Sequence, residues 1–254
     1  MSVLIDREKC IGCGLCVKDC PNACLTMNEG RACVNDGACI QCGHCYAVCP
    51  GNAVSMPGLN CTDEPVRAMS ELDSDTLLSA MRSRRTIRQF TDQPVEEEKL
   101  IKILQAGRYC PTGGNSQTVE FTILGSRQAE AEQICVDLFR TGQKIAAPFA
   151  EFLQRINITD HFFFKGAPLV IVVSARSAVD GALASSYMEI MAESLGLGVL
   201  YSGFFRACAS FSAKLRKLIH LAPGKQVVTC MVIGYPAVKY QRIAPRREMQ
   251  VKVL

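Results

Sequence analysis

The sequence predicts an α+β protein in two unequal parts, a small N-terminal one over residues 1–56 and a larger one over residues 76–254. Three observations predict it. The run Cys10-Ile-Gly-Cys13-Gly-Leu-Cys16-Val-Lys-Asp-Cys20-Pro21 recurs as Cys39-Ile-Gln-Cys42-Gly-His-Cys45-Tyr-Ala-Val-Cys49-Pro50, with Asn22-Ala23 and Asn52-Ala53 repeated on the flank. Beyond it, helical and strand periodicities mix without regular alternation. A chain of 254 residues, 48% of them hydrophobic, can bury one large core and a second small one. Between the parts, residues 57–75 turn polar and irregular, with Gly58, Pro65 and several acids, and read as a linker.

The elements of the larger part follow in order. Glu96, Glu97 and Glu98 follow Pro94 and precede Leu100, Ile101, Ile103 and Leu104, a helix with acids in its first turn that Gly107 ends. Val119, Phe121 and Ile123 alternate with Glu120 and Thr122 as in a half-buried strand. The apolar runs Ala167–Val173 and Val227–Ile233 are too short to span a membrane and read as buried strands, the second ending at Gly234-Tyr235-Pro236. Ala184, Met188, Met191 and Leu195 share one helical face, and Gly196 with Gly198 closes that helix. Residues 206–220 read as one further helix.

Charge is divided unevenly. Residues 1–76 hold five Lys/Arg against ten Asp/Glu, and residues 77–254 hold 23 against 14, so the formal +4 is the sum of −5 and +9. The basic excess is spread out and lacks a recognition helix or an aromatic RNA-binding signature, which argues against a nucleic-acid partner. Asp6, Arg7, Glu8 and Lys9 stand where a secretory signal needs an apolar core, so the expected location is the cytoplasm. In that reducing setting the spacing of the 15 cysteines points to metal binding rather than disulfides.

A cubane cluster needs four thiolates at the corners of a small solid, and three cysteines spaced by two residues supply three corners from one loop. In a duplicated run of this form the fourth cysteine, before proline, serves the other cluster. Cys10, Cys13, Cys16 and Cys49 then hold one cluster, and Cys39, Cys42, Cys45 and Cys20 the other. Zinc is the competing reading, but it leaves the fourth cysteine of each run idle. Residues 1–56 resemble bacterial two-cluster ferredoxins, which implies two 4Fe-4S clusters. Cys24, Cys33, Cys61, Cys110, Cys135, Cys208 and Cys230 have no ligand spacing and read as small buried hydrophobes, with Cys110 the one candidate for reactivity. His44 reads as a hydrogen-bond donor near a cluster, and His161 and His220 as structural or surface residues.

Arg84-Arg85-Thr86-Ile87-Arg88 gathers positive charge around a hydroxyl, suited to a phosphate or a polarised carbonyl, although alone it reads equally as a solvated basic turn. The Gly-rich turn Cys110-Pro-Thr-Gly-Gly-Asn-Ser-Gln117 follows, then Leu195-Gly-Leu-Gly198, Tyr201-Ser-Gly203 and Pro245-Arg246-Arg247. In this order the four features resemble the FMN-dependent nitroreductase family over residues 74–254, which implies an α+β sandwich. The resemblance places Arg84, Arg85, Thr86 and Arg88 at the flavin's phosphate, ribityl chain or pyrimidine carbonyl. It places Asn115 and Gln117 beside the ring, Ser202 and Gly203 near the reactive nitrogen, and Arg246 with Arg247 at the phosphate. Thr118 and Val119 depart from the proline and aromatic that many members carry, so contacts beside the ring differ. The resemblance also implies a homodimer, with Met249–Leu254 reaching across to the partner.

The expected function is an FMN-dependent oxidoreductase: an external low-potential donor reduces the two clusters, which reduce FMN, which reduces a small acceptor of nitroaromatic, quinone or enone type. Two alternatives stand beside it: an NAD(P)H-driven reductase sending electrons out through the clusters, and a non-catalytic electron carrier or redox sensor. No catalytic side-chain set appears at credible spacing.

Overall fold

The computed structural model describes residues 3–35, 37, 39–62, 72–146 and 155–254. The described residues form two compact units, one from Met1–Glu71 together with Gly113–Ser116, the other from Leu72–Thr112 with Gln117–Leu254. Of the stretch 57–75 read as a linker, residues 63–71 lie outside the described residues, and Ser74 and Asp75 already belong to the helix Ser74–Ser83.

The first unit contains β1 (Leu4–Ile5), α1 (Leu15–Lys18), β2 (Leu25–Asn28), β3 (Arg31–Val34), α2 (His44–Ala47) and β4 (Val54–Ser55). β1 pairs antiparallel with β4, and β2 with β3. Each helix is a single turn entered through a glycine in the left-handed region, Gly14 at φ 72° and Gly43 at φ 79°. That conformation is open to glycine at no steric cost, and it turns the chain between the second and third cysteine of each run. The core is small: Val3, Leu25, Ala32, Ala53, Val54 and Met56, joined by Cys10, Cys16 and Cys45.

In the second unit, α3 (Ser74–Ser83) is capped by Asp73, whose carboxylate accepts from Thr76 N at 2.8 Å. There follow α4 (Glu97–Arg108), β5 (Glu120–Ile123), α5 (Gln128–Ala146), β6 (Leu169–Ala175), α6 (Ala178–Ser194), β7 (Gly198–Tyr201), α7 (Gly203–Phe211), α8 (Ala213–Leu218) and β8 (Gln226–Gly234). The sheet runs β5-β6-β8-β7, every neighbouring pair antiparallel, with Val170 opposite Val232 and Ile171 opposite Met231.

Period-2 geometry splits β6 and β8 between two cores. Val170, Val172, Cys230 and Val232 pack with Val136, Phe205 and Leu215, from α5, α7 and α8. Ile171, Val173, Met231 and Ile233 pack with Ile103 and Met188, from α4 and α6. Both faces of the sheet are therefore covered, which is why these strands read as unbroken apolar runs. Each fully buried aliphatic side chain there contributes on the order of 2 kcal/mol.

Several expectations shift in detail. Gly107 does not end α4, which continues to Arg108; a Cβ at Gly107 would lie 2.7 Å from Phe121 and 2.9 Å from Met188 Sδ, so the glycine serves close packing on α6. Gly196, at φ 76°, does follow α6, but Gly198 opens β7, where a Cβ would overlap Ile87. The single helix read over 206–220 is two helices broken at Ser212, whose extended backbone lets its hydroxyl accept from Leu215 N at 3.1 Å. Ile123, at the end of an edge strand, is 42% exposed. Helix α5, 19 residues long, is an element that the sequence periodicities do not predict.

Candidate functional site

Two cavities in the first unit are walled by sulfur. One is lined by Cys10, Cys13, Cys16 and Cys49, the other by Cys20, Cys39, Cys42 and Cys45, with Cys24 as a fifth thiol. Three cysteines of each set come from one loop and the fourth from the opposite run. Backbone amides point at the sulfurs: Ala32 N lies 3.5 Å from Cys10 Sγ, Cys24 N 3.2 Å from Cys20 Sγ and Ala53 N 3.3 Å from Cys49 Sγ.

The donor chemistry of these cavities fits a polynuclear cluster. Amide donation from Ala32, then from Gly12, holds the Cys10 thiol below its usual value. Burial pushes Cys16 and Cys45 the other way, so four thiolates in one cavity need a cation among them. In each set four thiols line one cavity, and four thiolates to a cavity are the donor set of a 4Fe-4S cubane.

His44 lines the second cavity and places Nδ1 3.2 Å from Asp19 Oδ2. Asn115, within the same unit, donates through Nδ2 to the carbonyls of Ile40 at 3.0 Å and Gln41 at 2.9 Å.

In the second unit a cavity of about 560 Å³ is lined by Arg88, Lys165, Tyr201, Ser202 and Gly203, with Phe162, Phe163 and Phe204 among its apolar walls. Three of the sequence-derived flavin residues thus meet here: Arg88, Ser202 and Gly203. Residues 84–88 enter beside β7, where Thr86 bridges Val199 and Ile87 N donates to Val199 O at 3.1 Å. Arg84 turns to α6 and pairs with Glu189 Oε1 at 2.7 Å, and Tyr201 donates to Ser185 O at 2.9 Å beside Glu189 Oε2 at 3.3 Å. Burial raises the Tyr201 phenol beyond its ordinary range and keeps it a donor. Arg85 lies over the Tyr240 ring at 5.3 Å. Gln117 N donates to Thr112 Oγ1 at 3.0 Å. Arg246 and Arg247 lie exposed on the extended C-terminal segment, outside that cavity's walls.

Two residues that hold this cavity escaped the sequence reading. Lys165 follows three phenylalanines, sits in the left-handed region at φ 55°, and places Nζ 4.6 Å from the Phe162 ring centre. Burial lowers its pKa. A Lys-Gly pair signals only a turn, so nothing in the sequence ties it to Arg88. Glu132, 5% exposed on α5, accepts from Phe163 N at 2.9 Å and Phe164 N at 2.7 Å and fixes that turn. A second cavity of about 530 Å³ shares Phe162 and Phe204 and is otherwise apolar apart from Gln143. Cys110 is buried, its sulfur 3.4 Å from Pro111 O, and burial pushes its thiol up, an inert setting rather than a reactive one. His161 is 75% exposed, 3.5 Å from Glu132, and His220 occupies the turn after α8.

Two sulfur-walled cavities and an α+β unit holding a basic, aromatic cavity are equipment for moving electrons, and they place the chain among the oxidoreductases. Residues 81–235 match the Nitroreductase family, and residues 2–50 match the 4Fe-4S dicluster domain. The chain belongs to the nitroreductase family, with a dicluster domain at its N-terminal end.

Relatives include an FMN reductase [NAD(P)H] of Bacillus subtilis, 29% identical over 63% of this chain and 66% of that protein. An NADPH-dependent oxidoreductase of Staphylococcus haemolyticus is 24% identical over 65% of this chain and 66% of its own length. The chain thus spans just under two thirds of either relative. Among solved structures, an FMN-dependent nitroreductase from Clostridium difficile R20291 superposes with a TM-score of 0.57 at 18% identity, covering 71% of this chain and all of that one. A nitroreductase with bound FMN from Bacteroides fragilis does so with a TM-score of 0.56 at 20% identity, covering 69% and 98%. These likenesses establish the fold of the second unit.

Proposed function

We propose that the protein is an FMN-dependent oxidoreductase that accepts single electrons from an external low-potential donor and delivers them in pairs to a small nitroaromatic, quinone or enone. One observation carries this reading: a single chain holds two four-cysteine cavities and a cavity of about 560 Å³ edged by Arg88, Lys165, Ser202 and Gly203. When bound, the clusters supply one-electron steps and FMN the conversion to two-electron chemistry.

In this reading residues 1–56 carry the clusters and 76–254 the flavin. Cys10, Cys13, Cys16 and Cys49 hold the first cluster; Cys39, Cys42, Cys45 and Cys20 hold the second. Arg88 and Lys165 offer positive charge to the electron-rich edge of the ring; Gly203, entering α7, offers its backbone amide, and Ser202, whose own amide donates to Cys230 O at 2.8 Å, offers its hydroxyl. The phenylalanines exclude water. Arg246 and Arg247 reach the phosphate in a homodimer. Supporting that assembly, Phe211 is 81% exposed, and Met249 and Val253 on the terminal segment are 86% and 92% exposed, apolar surface that a partner subunit would cover. Among the described residues no helix is long and apolar enough to cross a membrane, and the thiols suit the reducing cytoplasm.

The test is anaerobic purification with iron, sulfide and FMN quantitation, followed by rapid mixing with dithionite. Bleaching of the flavin absorbance after cluster reduction supports the route; reduced clusters beside a flavin that stays oxidised overturn it. The names of the two relatives favour a second reading, in which NAD(P)H reduces the flavin and electrons leave through the clusters. Flavin bleaching by NADH or NADPH without dithionite would select that direction.

A further inference from the structure

The run that builds each sulfur cavity is the same, but what braces it is not. Between its first two cysteines the first run has Gly12, in the left-handed region at φ 73°, where a Cβ would overlap Gly30 O in the turn joining β2 to β3. That loop rests directly on a hairpin of the same unit. At the matching place the second run has Gln41, also left-handed at φ 51°, a conformation that strains a residue with a Cβ and that the surroundings must hold. Asn115 supplies the hold. Its Nδ2 donates to Ile40 O at 3.0 Å and to Gln41 O at 2.9 Å, as many bonds as the amide nitrogen has hydrogens. Ile40 lines the second cavity together with Cys39 and Cys42. Asn115 belongs to Gly113–Ser116, which joins the first unit although that unit's other residues end at Glu71. Gly114 at φ 57° and Asn115 at φ 52° are themselves left-handed, a bend that asparagine tolerates better than most side chains.

We propose that Asn115 is a positioning residue of the second cluster: it fixes the Ile40–Gln41 turn, and with it the spacing of the Cys39 and Cys42 sulfurs, and its amide is committed there rather than to a flavin ring. Without those two bonds Gln41 relaxes out of the left-handed region, the turn opens, and Cys42 is carried away from Cys39. The first cluster has no such dependence, because glycine holds the same conformation at no steric cost. Two cavities built by one repeated run therefore differ in how firmly they keep their iron. The inference rests on the clusters of the proposed function being present.

The experiment uses the full chain, purified anaerobically with both clusters, and follows iron release to a ferrous chelator alongside FMN affinity. Asn115→Gly keeps the left-handed backbone and removes the amide; Asn115→Asp keeps the shape and removes the two donors. In both, half of the iron should leave on the order of tenfold faster than in the wild type, the effect of losing two ordinary hydrogen bonds, while the other half keeps its rate and FMN affinity is unchanged. Gln41→Gly, which takes the left-handed turn without help, should restore the slow rate in the Asn115→Gly chain. Iron release unmoved in both Asn115 variants overturns the proposal, and a fall in FMN affinity in those same chains would return Asn115 to the flavin ring. Acceleration that Gln41→Gly does not reverse overturns it as well, since the turn is then not the cause. A wild-type chain without iron removes the cluster reading itself, an outcome told apart by the iron count alone.

Discussion

The two units build their sites in opposite ways. In the first, six of the eight ligand candidates sit in two tight loops, and the same run written twice yields the same sulfur-walled cavity twice. In the second, one cavity gathers Arg88 from the strand-like segment beside β7, Lys165 from the turn before β6, and Ser202 and Gly203 from the entry to α7. Local spacing makes a site that tolerates little change at any one position. A site assembled from distant segments depends instead on the residues that hold those segments still.

The largest expected effect tests the exchange of the fourth cysteine. Cys49→Ser should halve the iron, from about eight to about four per chain, and the cluster lost should be the one served by Cys10, Cys13 and Cys16. Combining Cys49→Ser with Cys10→Ser should cost no further iron, whereas combining it with Cys39→Ser should remove the remainder. An iron count that follows each run separately would break the comparison.

A smaller effect tests the second mode of construction. Glu132→Ala leaves the amides of Phe163 and Phe164 buried without their acceptor. At about 1–3 kcal/mol for each orphaned donor, the second unit should lose on the order of 2 kcal/mol or more in denaturant unfolding. FMN affinity should fall with it, because the turn carrying Lys165 loosens. Full affinity and unchanged stability would show that the turn stands without its carboxylate.

The smallest effect concerns the buried thiols of the second unit. Burial raises Cys110 and Cys230, so the folded chain holds protons that the unfolded chain releases. The stability they carry is full below the ordinary thiol range and lost as pH climbs through it. Melting temperature should therefore be flat near pH 7 and decline toward about pH 10, and Cys110 should resist alkylation in the folded protein at neutral pH. Rapid labelling of Cys110 at pH 7 would contradict the setting described.

These contrasts explain what was legible in the sequence. The cysteine runs carry their geometry in their spacing, so both cavities could be written down beforehand. Cys24 could not, because the repeat aligns by eye on Asn22-Ala23 and Asn52-Ala53, whereas the amides that reach the fourth sulfurs are those of Cys24 and Ala53. The buried strands β6 and β8 were plain from their apolar runs. Helix α5 was not, since Ala131, Ile134 and Cys135 are small or scattered among charges, and its role rests on one glutamate. Glycines misled twice, at Gly107 and Gly198, where the absent side chain makes room for Met188 and Ile87 instead of turning the backbone. At Ser212 a single serine divided an otherwise continuous helical pattern.

Of the eight cysteines around the two cavities, Cys13 alone is exposed. Oxygen and other oxidants meet that corner first, and a cubane attacked at one corner sheds iron there before the rest collapses. A preparation left in air should therefore age in a fixed order, the Cys10–Cys16 cage failing while its twin survives.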